Sequence, residues 1–207
     1  MLPKRWLRER ERDPYHRLAK REGYRSRAAY KLLQAAEKNK VLRRGDVVVD
    51  LGAAPGGWTQ AARTIVGEEG YVLAVDIRPM QPFGFPNVKT IIVDISDPKT
   101  LDRIMECLPR NPDVLLSDAS PNLSGVWEVD HARQIDLAAA SLAMAIKSLR
   151  SGGNFFVKVF HGDLLKGFID EVKKNFESVK VVKPMASRSK SSEIYILAKS
   201  FRLAHAS

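Results

Sequence analysis

The chain has a single cysteine, Cys107, among 207 residues. One thiol cannot form an internal disulfide and leaves no cysteine-built metal site. The four histidines, at 16, 131, 161 and 205, show no ligand spacing, so no metal is expected. No run approaches the roughly 18 apolar residues that a membrane span requires. The stretch from Met1 to Arg12 is charged and lacks an apolar core, which argues against a secretory signal. A cytoplasmic protein without membrane contact is the default reading. Two nucleotide signatures are missing as well. There is no Gly-Lys-Ser/Thr pattern for a nucleoside triphosphate and no G-x-G-x-x-G for a dinucleotide.

What is abundant is positive charge, and it is unevenly placed. The net charge is +10, and residues 1–44 carry 15 Lys/Arg against 5 Asp/Glu, whereas residues 45–207 carry 19 of each. Trp6, Tyr15, Tyr24 and Tyr30 interleave the charges. A cationic segment with stacking side chains beside a neutral body fits a nucleic-acid partner. A solvated tail kept charged for solubility is the plainer alternative. Residues 1–25, punctuated by Pro3, Pro14 and Gly23, read as a basic, extended or partly unordered N-terminal segment. Residues 26–207 read as one domain, with Ser26 capping a helix from about Arg27 to Lys40.

The rest is organised around Val47-Val48-Val49-Asp50-Leu51-Gly52-Ala53-Ala54-Pro55-Gly56-Gly57-Trp58. Three β-branched residues predict a buried strand, and the glycines predict a tight turn into a helix from Trp58 to Ile65. In an open α/β sheet, small ligands bind at the carboxyl end of such a strand. Further strands are predicted at 71–75, 88–93, 113–118, 154–160, 178–182 and 193–199. Helices are predicted at about 98–108, 130–149 and 163–175, with Cys107 buried on the first of these. Strands alternating with helices give a mostly parallel sheet covered on both faces.

Three of these strands end in Asp76, Asp94 and Asp118 beside the glycine turn. Acceptors in that position suit the hydroxyls and exocyclic amine of a nucleoside cofactor. Lys158 lies inside the apolar run Asn-Phe-Phe-Val-Lys-Val-Phe. A buried amine is costly unless paired or used, although a lysine reaching out from a strand end is the ordinary alternative. Lys31, on the first predicted helix, reads by itself as a solvated surface lysine.

Asp50 to Trp58, Ser117-Asp118-Ala119-Ser120-Pro121-Asn122, Phe156-Val157-Lys158 and Ser192-Glu193 together resemble the FtsJ/RrmJ family of S-adenosylmethionine-dependent RNA 2′-O-methyltransferases. The likeness runs from Arg12 to Leu197 and takes in Arg25-Ser26-Arg27-Ala28-Ala29-Tyr30-Lys31-Leu32. It implies a Rossmann-like methyltransferase fold with a seven-stranded sheet whose last strand is antiparallel. It implies a catalytic tetrad at Lys31, Asp118, Lys158 and Glu193. Cofactor contacts would fall on Gly52, Pro55, Gly56, Gly57, Trp58, Asp76, Asp94 and Asp118. The implied partner is RNA, with a uridine of large-subunit (23S) ribosomal RNA as the target and the protein acting as a monomer. Since the sequence ends soon after the last strand, the N-terminal segment would share RNA binding with the catalytic face.

The residues fit that chemistry. A ribose 2′-hydroxyl must lose its proton as it attacks a methyl group, and only a neutral lysine can accept it. Burial and a second cation, Lys31, favour the neutral amine at Lys158, while Asp118 and Glu193 favour the ammonium. Transfer RNA or a messenger cap are alternative substrates, and a non-enzymatic RNA-binding or ribosome-assembly factor is an alternative class. The latter has no use for a buried Lys158. Adenine N6 methylation expects an Asn/Asp-Pro-Pro-aromatic turn where this chain reads Asp118-Ala119-Ser120-Pro121. Cytosine C5 methylation needs a cysteine in a loop, whereas Cys107 is predicted on a helix.

Overall fold

The computed structural model of the chain describes residues 13–188 and 191–203. Expectations for residues 1–12 and for His205 lie outside that range. Seven strands form one sheet: β1 (Val47–Leu51), β2 (Tyr71–Asp76), β3 (Val88–Ile92), β4 (Val114–Ser117), β5 (Asn154–Phe160), β6 (Phe176–Val182) and β7 (Glu193–Phe201), in the order β3-β2-β1-β4-β5-β7-β6. The pairings among β1 to β5 are parallel, and β7 runs antiparallel to both β5 and β6. This is the Rossmann-like methyltransferase sheet that the resemblance implied.

The two-residue period of each strand separates two cores. Val48, Val72, Leu116, Phe156, Tyr195 and Leu197 pack under α2 (Ala29–Asn39) and α3 (Gly57–Val66). Val49, Leu73, Leu115, Phe155, Val157 and Ile196 face the other way. There they meet side chains of α4 (Thr100–Met105), α5 (Trp127–Ser148) and α6 (Leu165–Asn175). Strands covered on both faces read as continuous apolar runs, which is why β1, β4 and β5 stand out in the sequence.

The N-terminal reading needs correction. Residues 13–25 are not an extended segment apart from the domain, because Pro14–Glu22 is a helix, α1. The Asp13 carboxylate accepts the Tyr15 and His16 amides, Pro14 occupies the first turn and Gly23 closes the helix in the left-handed region. Pro14 and Gly23 are therefore helix start and stop signals rather than loop punctuation. Packing of Ala19 with Tyr30 and Ala186 ties α1 to the domain. Ser26 is not the cap of the next helix. α2 begins after Ala28 without a side-chain cap, and the Ser26 hydroxyl instead fills the space beside Gly57. Cys107 lies in the turn after α4, half-buried, and its carbonyl accepts the Tyr71 hydroxyl. That places it at the amino end of β2, far from the carboxyl edge. Its location, not a helix, keeps Cys107 from serving as a nucleophile there.

Candidate active site

The same strand period delivers the implied tetrad to one place. Lys158 continues the face of Phe156, Asp118 that of Leu116, and Glu193 that of Tyr195, all on the side covered by α2. Lys31 comes down from α2. Beyond the last parallel pair, Ser117 with Val157, β5 runs on against β7, where Lys158 pairs with Tyr195 and Phe160 with Glu193. Lys31 Nζ lies 3.0 Å from Glu193 Oε2, and Lys158 Nζ lies 3.3 Å from Asp118 Oδ1 and 4.0 Å from Glu193 Oε1. Lys158 Nζ also donates to the Asp118 carbonyl at 2.8 Å. Lys31 is 8% exposed and Lys158 4%. Two amines this buried are sustained only by carboxylates held against them.

Three residues that support this cluster were not singled out from the sequence. The Tyr195 hydroxyl donates to Asp118 Oδ1 at 3.1 Å. Burial, and next the charges of Asp118 and Glu193, push this phenol far above its ordinary range, so it stays a donor. Its signal was available, since Glu193-x-Tyr195 places both on one strand face. Gln134 of α5 donates one amide to two carbonyls, Ala119 at 3.2 Å and Lys158 at 3.1 Å, just where the β4–β5 ladder has ended. Nothing in the sequence marks it. Asp50 is wholly buried, accepts the Thr59 hydroxyl at 2.7 Å, and keeps Oδ1 without a partner among the described residues. Burial, with Asp118 and Asp76 adding to it, pushes its carboxyl up to about 7 against the opposing Thr59 hydrogen bond.

Beside the cluster lies a cavity of about 490 Å³ lined by Gly52, Pro55, Trp58, Asp76, Asp94 and Asp118, among others. Gly52 has φ +70°, and a Cβ there would strike the backbone of Ala119, so only glycine lets these two turns meet. Gly56 and Gly57 do not line the cavity. They shape its edge: a Cβ at Gly56 (φ +110°) would strike Phe83, and one at Gly57 would strike Ser26. Trp58 forms part of the wall, but its indole N–H is committed to the Ala28 carbonyl at 2.9 Å and its ring stacks on Phe156.

The carboxylates differ in how much they have left to offer. Asp76 accepts Ala54 N at 2.8 Å, Arg78 N at 2.8 Å and Arg78 Nε at 3.3 Å. About one of its roughly four acceptor positions remains. Asp94 lies exposed at the cavity, and among the described residues its side chain accepts only Ser96 N, at 2.8 Å. Three carboxylates around one apolar-walled cavity fit a ligand that carries hydroxyl and amino donors and positive charge, as S-adenosylmethionine does.

The FtsJ-like methyltransferase profile matches residues 24–201. Ribosomal RNA large subunit methyltransferase E of Methanococcus vannielii is 48% identical over 198 residues, 96% of this chain and 76% of that protein. The protein of the same name from Methanothermobacter thermautotrophicus is 47% identical, covering 97% of this chain and 95% of its own. Among solved structures, a ribosomal RNA methyltransferase of Plasmodium falciparum superposes with a TM-score of 0.75 at 27% identity, over 86% of this chain and 98% of that one. Aeropyrum pernix fibrillarin with bound S-adenosyl-L-methionine, at 18% identity and a TM-score of 0.58, covers 84% of this chain and 75% of its own and shares the fold. A profile spanning most of the chain, joined by relatives near half identical along its length, leaves one conclusion: the chain belongs to the FtsJ-like methyltransferase family.

Proposed function

We propose that this methyltransferase acts on a ribose 2′-hydroxyl of RNA, with a uridine of large-subunit ribosomal RNA as its target, as a cytoplasmic monomer. The observation that carries the reading is the Lys158 amine, buried between Asp118 and Glu193 at the rim of the cofactor cavity. The names of the large-subunit relatives support the choice of RNA.

Gly52, Pro55, Asp76, Asp94 and Asp118 would hold S-adenosylmethionine. When bound, it supplies an electrophilic methyl group on a positively charged sulfur. The Lys158 amine would take the proton of the 2′-hydroxyl as that oxygen attacks. Asp118 and Glu193 fix that amine and stabilise the ammonium it becomes. Lys31, paired with Glu193, restrains that carboxylate and adds positive charge where the alkoxide develops. RNA would approach over α1 and the loop at 183–188. Arg27 joins these two basic segments by pairing with Asp13 and donating to the Ala186 carbonyl. Gln34 also bridges them, donating to Tyr15 Oη and accepting the Ala186 amide.

The test is to supply the purified protein with labelled cofactor and with large-subunit RNA, transfer RNA or capped messenger. A 2′-O-methyl uridine in the large-subunit RNA is expected. Label confined to transfer RNA or a cap would reassign the substrate, and label on a base would reject the ribose chemistry.

A further inference from the structure

Arg25 belongs to the basic N-terminal excess, yet its guanidinium is turned onto the protein. It lies between α1 and α2, one residue before Ser26, which together with Ala28 lines the cofactor cavity. Its guanidinium donates to the carbonyls of Pro55 at 3.3 Å, Gln81 at 2.8 Å and Pro82 at 2.7 Å. The same group lies over the Phe83 ring, 3.8 Å from its centroid. Its backbone is held as well: Arg25 N donates to Gln60 Oε1 at 2.7 Å, and Gln60 Nε2 donates to the Gly23 carbonyl at 3.0 Å.

The stretch 79–84 cannot hold itself in place. It contains Pro79 and Pro82, which have no amide hydrogen. Its only hydrogen bonds among the described residues are the two that Arg25 makes to Gln81 and Pro82. Yet it presses against the glycine turn so closely that Gly56 leaves no room for a Cβ beside Phe83 and Arg25. The root of the stretch, Ile77 and Arg78, lines the cavity, as does Pro55. One side chain therefore ties the Pro55 wall to the stretch that follows Ile77 and Arg78.

We propose that Arg25 is a positioning residue for the methyl donor: it clamps the 79–84 stretch against the glycine turn and so fixes the shape of the cofactor cavity, rather than binding an RNA phosphate. This rests on the reading that the 490 Å³ cavity takes S-adenosylmethionine. A phosphate would have to displace carbonyl hydrogen bonds and a stacked ring to recruit this guanidinium. Arg17 and Lys20 of α1 are exposed and carry no such load among the described residues.

The experiment compares Arg25→Ala, Arg25→Lys and Phe83→Leu with the wild type. It reads calorimetric affinity for S-adenosylmethionine, the Michaelis constant for the cofactor against the turnover number at saturation, and the salt dependence of RNA binding. Arg25→Ala is expected to weaken cofactor binding about tenfold, the loss of two or three hydrogen bonds of ordinary strength. The Michaelis constant should rise in parallel while saturated turnover moves much less, and the RNA salt slope should stay that of the wild type. Lysine cannot span three carbonyls, so Arg25→Lys recovers only part of the loss. Phe83→Leu, which leaves every hydrogen bond in place, should give a smaller shift of the same kind and stands in if Arg25→Ala does not fold. Unchanged cofactor affinity in both Arg25→Ala and Phe83→Leu would overturn the clamp. A salt slope reduced by about 0.7 with cofactor affinity intact would assign Arg25 to an RNA phosphate instead. Asp94→Ala and Asp76→Ala, run alongside, separate the two levels. If they weaken cofactor binding and Arg25→Ala does not, the clamp alone falls. If neither has any effect, the cavity assignment itself falls.

Discussion

The same strands carry carboxylates at both ends, and the two ends use them differently. At the amino end, Asp113 accepts the Val47 amide at 2.7 Å and pairs with Arg110 at 2.7 Å and with Arg150. Asp46 accepts the Arg43 amide at 2.7 Å. The arginines there keep nearly half of their side-chain surface in water. At the carboxyl end, Asp50 has an oxygen without a partner among the described residues and Asp94 is scarcely engaged, and beside the exposed Arg78 on Asp76 the cations are two buried lysines. A carboxylate whose acceptors are filled by arginine forks and amides ties strands together. Buried amines held by carboxylates, with further acceptors left unfilled nearby, are costly to keep, and such sites are where chemistry is found.

The widest separation between the ends is expected in catalysis. Lys158→Ala should lower the methylation rate by about 10²–10⁴, the usual share of a general base, while S-adenosylmethionine binding stays near that of the wild type. Raising the pH should restore little, because no other side chain is placed to take the proton. Arg150→Ala, at the opposite end, should leave the rate unchanged. Single-turnover kinetics on RNA decide it. Near-normal methylation by Lys158→Ala would make this lysine structural and the tetrad assignment would fall.

That cluster was partly legible in the sequence. Lys158 shows itself because a charge interrupts an apolar run, and the strand ends at Asp76 and Asp118 show themselves because an aspartate closes one. Lys31 does not, since a lysine on a helix looks alike whether it faces solvent or a carboxylate 162 positions away. Gln134 was invisible for the same reason: its two carbonyl partners belong to β4 and β5 ends that only the fold brings together. The α1 helix was missed although Asp13, Pro14 and Gly23 announce it. Its composition is dominated by charge and only Ala19 is buried, so packing on Tyr30 and Ala186 rather than a strong apolar stripe holds it.

The next difference concerns pH. Asp50 has its carboxyl pushed up to about 7 by burial, so the folded protein holds a proton that the unfolded chain releases near pH 4. The stability linked to that proton is complete below about pH 4 and is lost as pH rises through 7, up to about 4 kcal/mol. Urea titrations at pH 5 and pH 8 should show wild type losing stability over this interval, and Asp50→Asn losing much less. Equal slopes in the two proteins would mean that Asp50 is ionised throughout.

Cofactor binding comes third. Removing a buried polar partner costs about 1–3 kcal/mol, roughly 5- to 150-fold in affinity. Asp76→Ala and Asp94→Ala should each weaken S-adenosylmethionine binding within that range, as read by calorimetry. Asp94 gives the cleaner result, because Asp76 also anchors Ala54 and Arg78. Full affinity in both variants would remove these carboxylates from the cofactor site.

The smallest effect belongs to Asp113 and has the opposite sign to that of Asp50. Although burial alone would push the Asp113 carboxyl up, the Val47 amide, Arg150 and Arg110 outweigh it and hold the carboxyl below the ordinary range. The folded protein therefore keeps Asp113 ionised at pH values where the unfolded chain has begun to protonate it. Its contribution is complete above about pH 4 and is lost as pH falls through the lowered folded value. Because both arginines are half exposed, solvent screens the pairs and the contribution is about 1 kcal/mol. Asn at 113 can still accept the Val47 amide but cannot pair with the arginines. Asp113→Asn should thus be about 1 kcal/mol less stable at pH 7, with the gap closing as pH falls below 4 and as salt is raised. Cofactor affinity and methylation turnover should match those of the wild type throughout. Denaturation titrations at pH 7 and pH 3, with turnover measured at pH 7, test both halves. A gap that persists at pH 3 would assign the stabilisation to packing rather than charge. A loss of turnover would mean that the two ends of the sheet are coupled and the division of labour between them is not real.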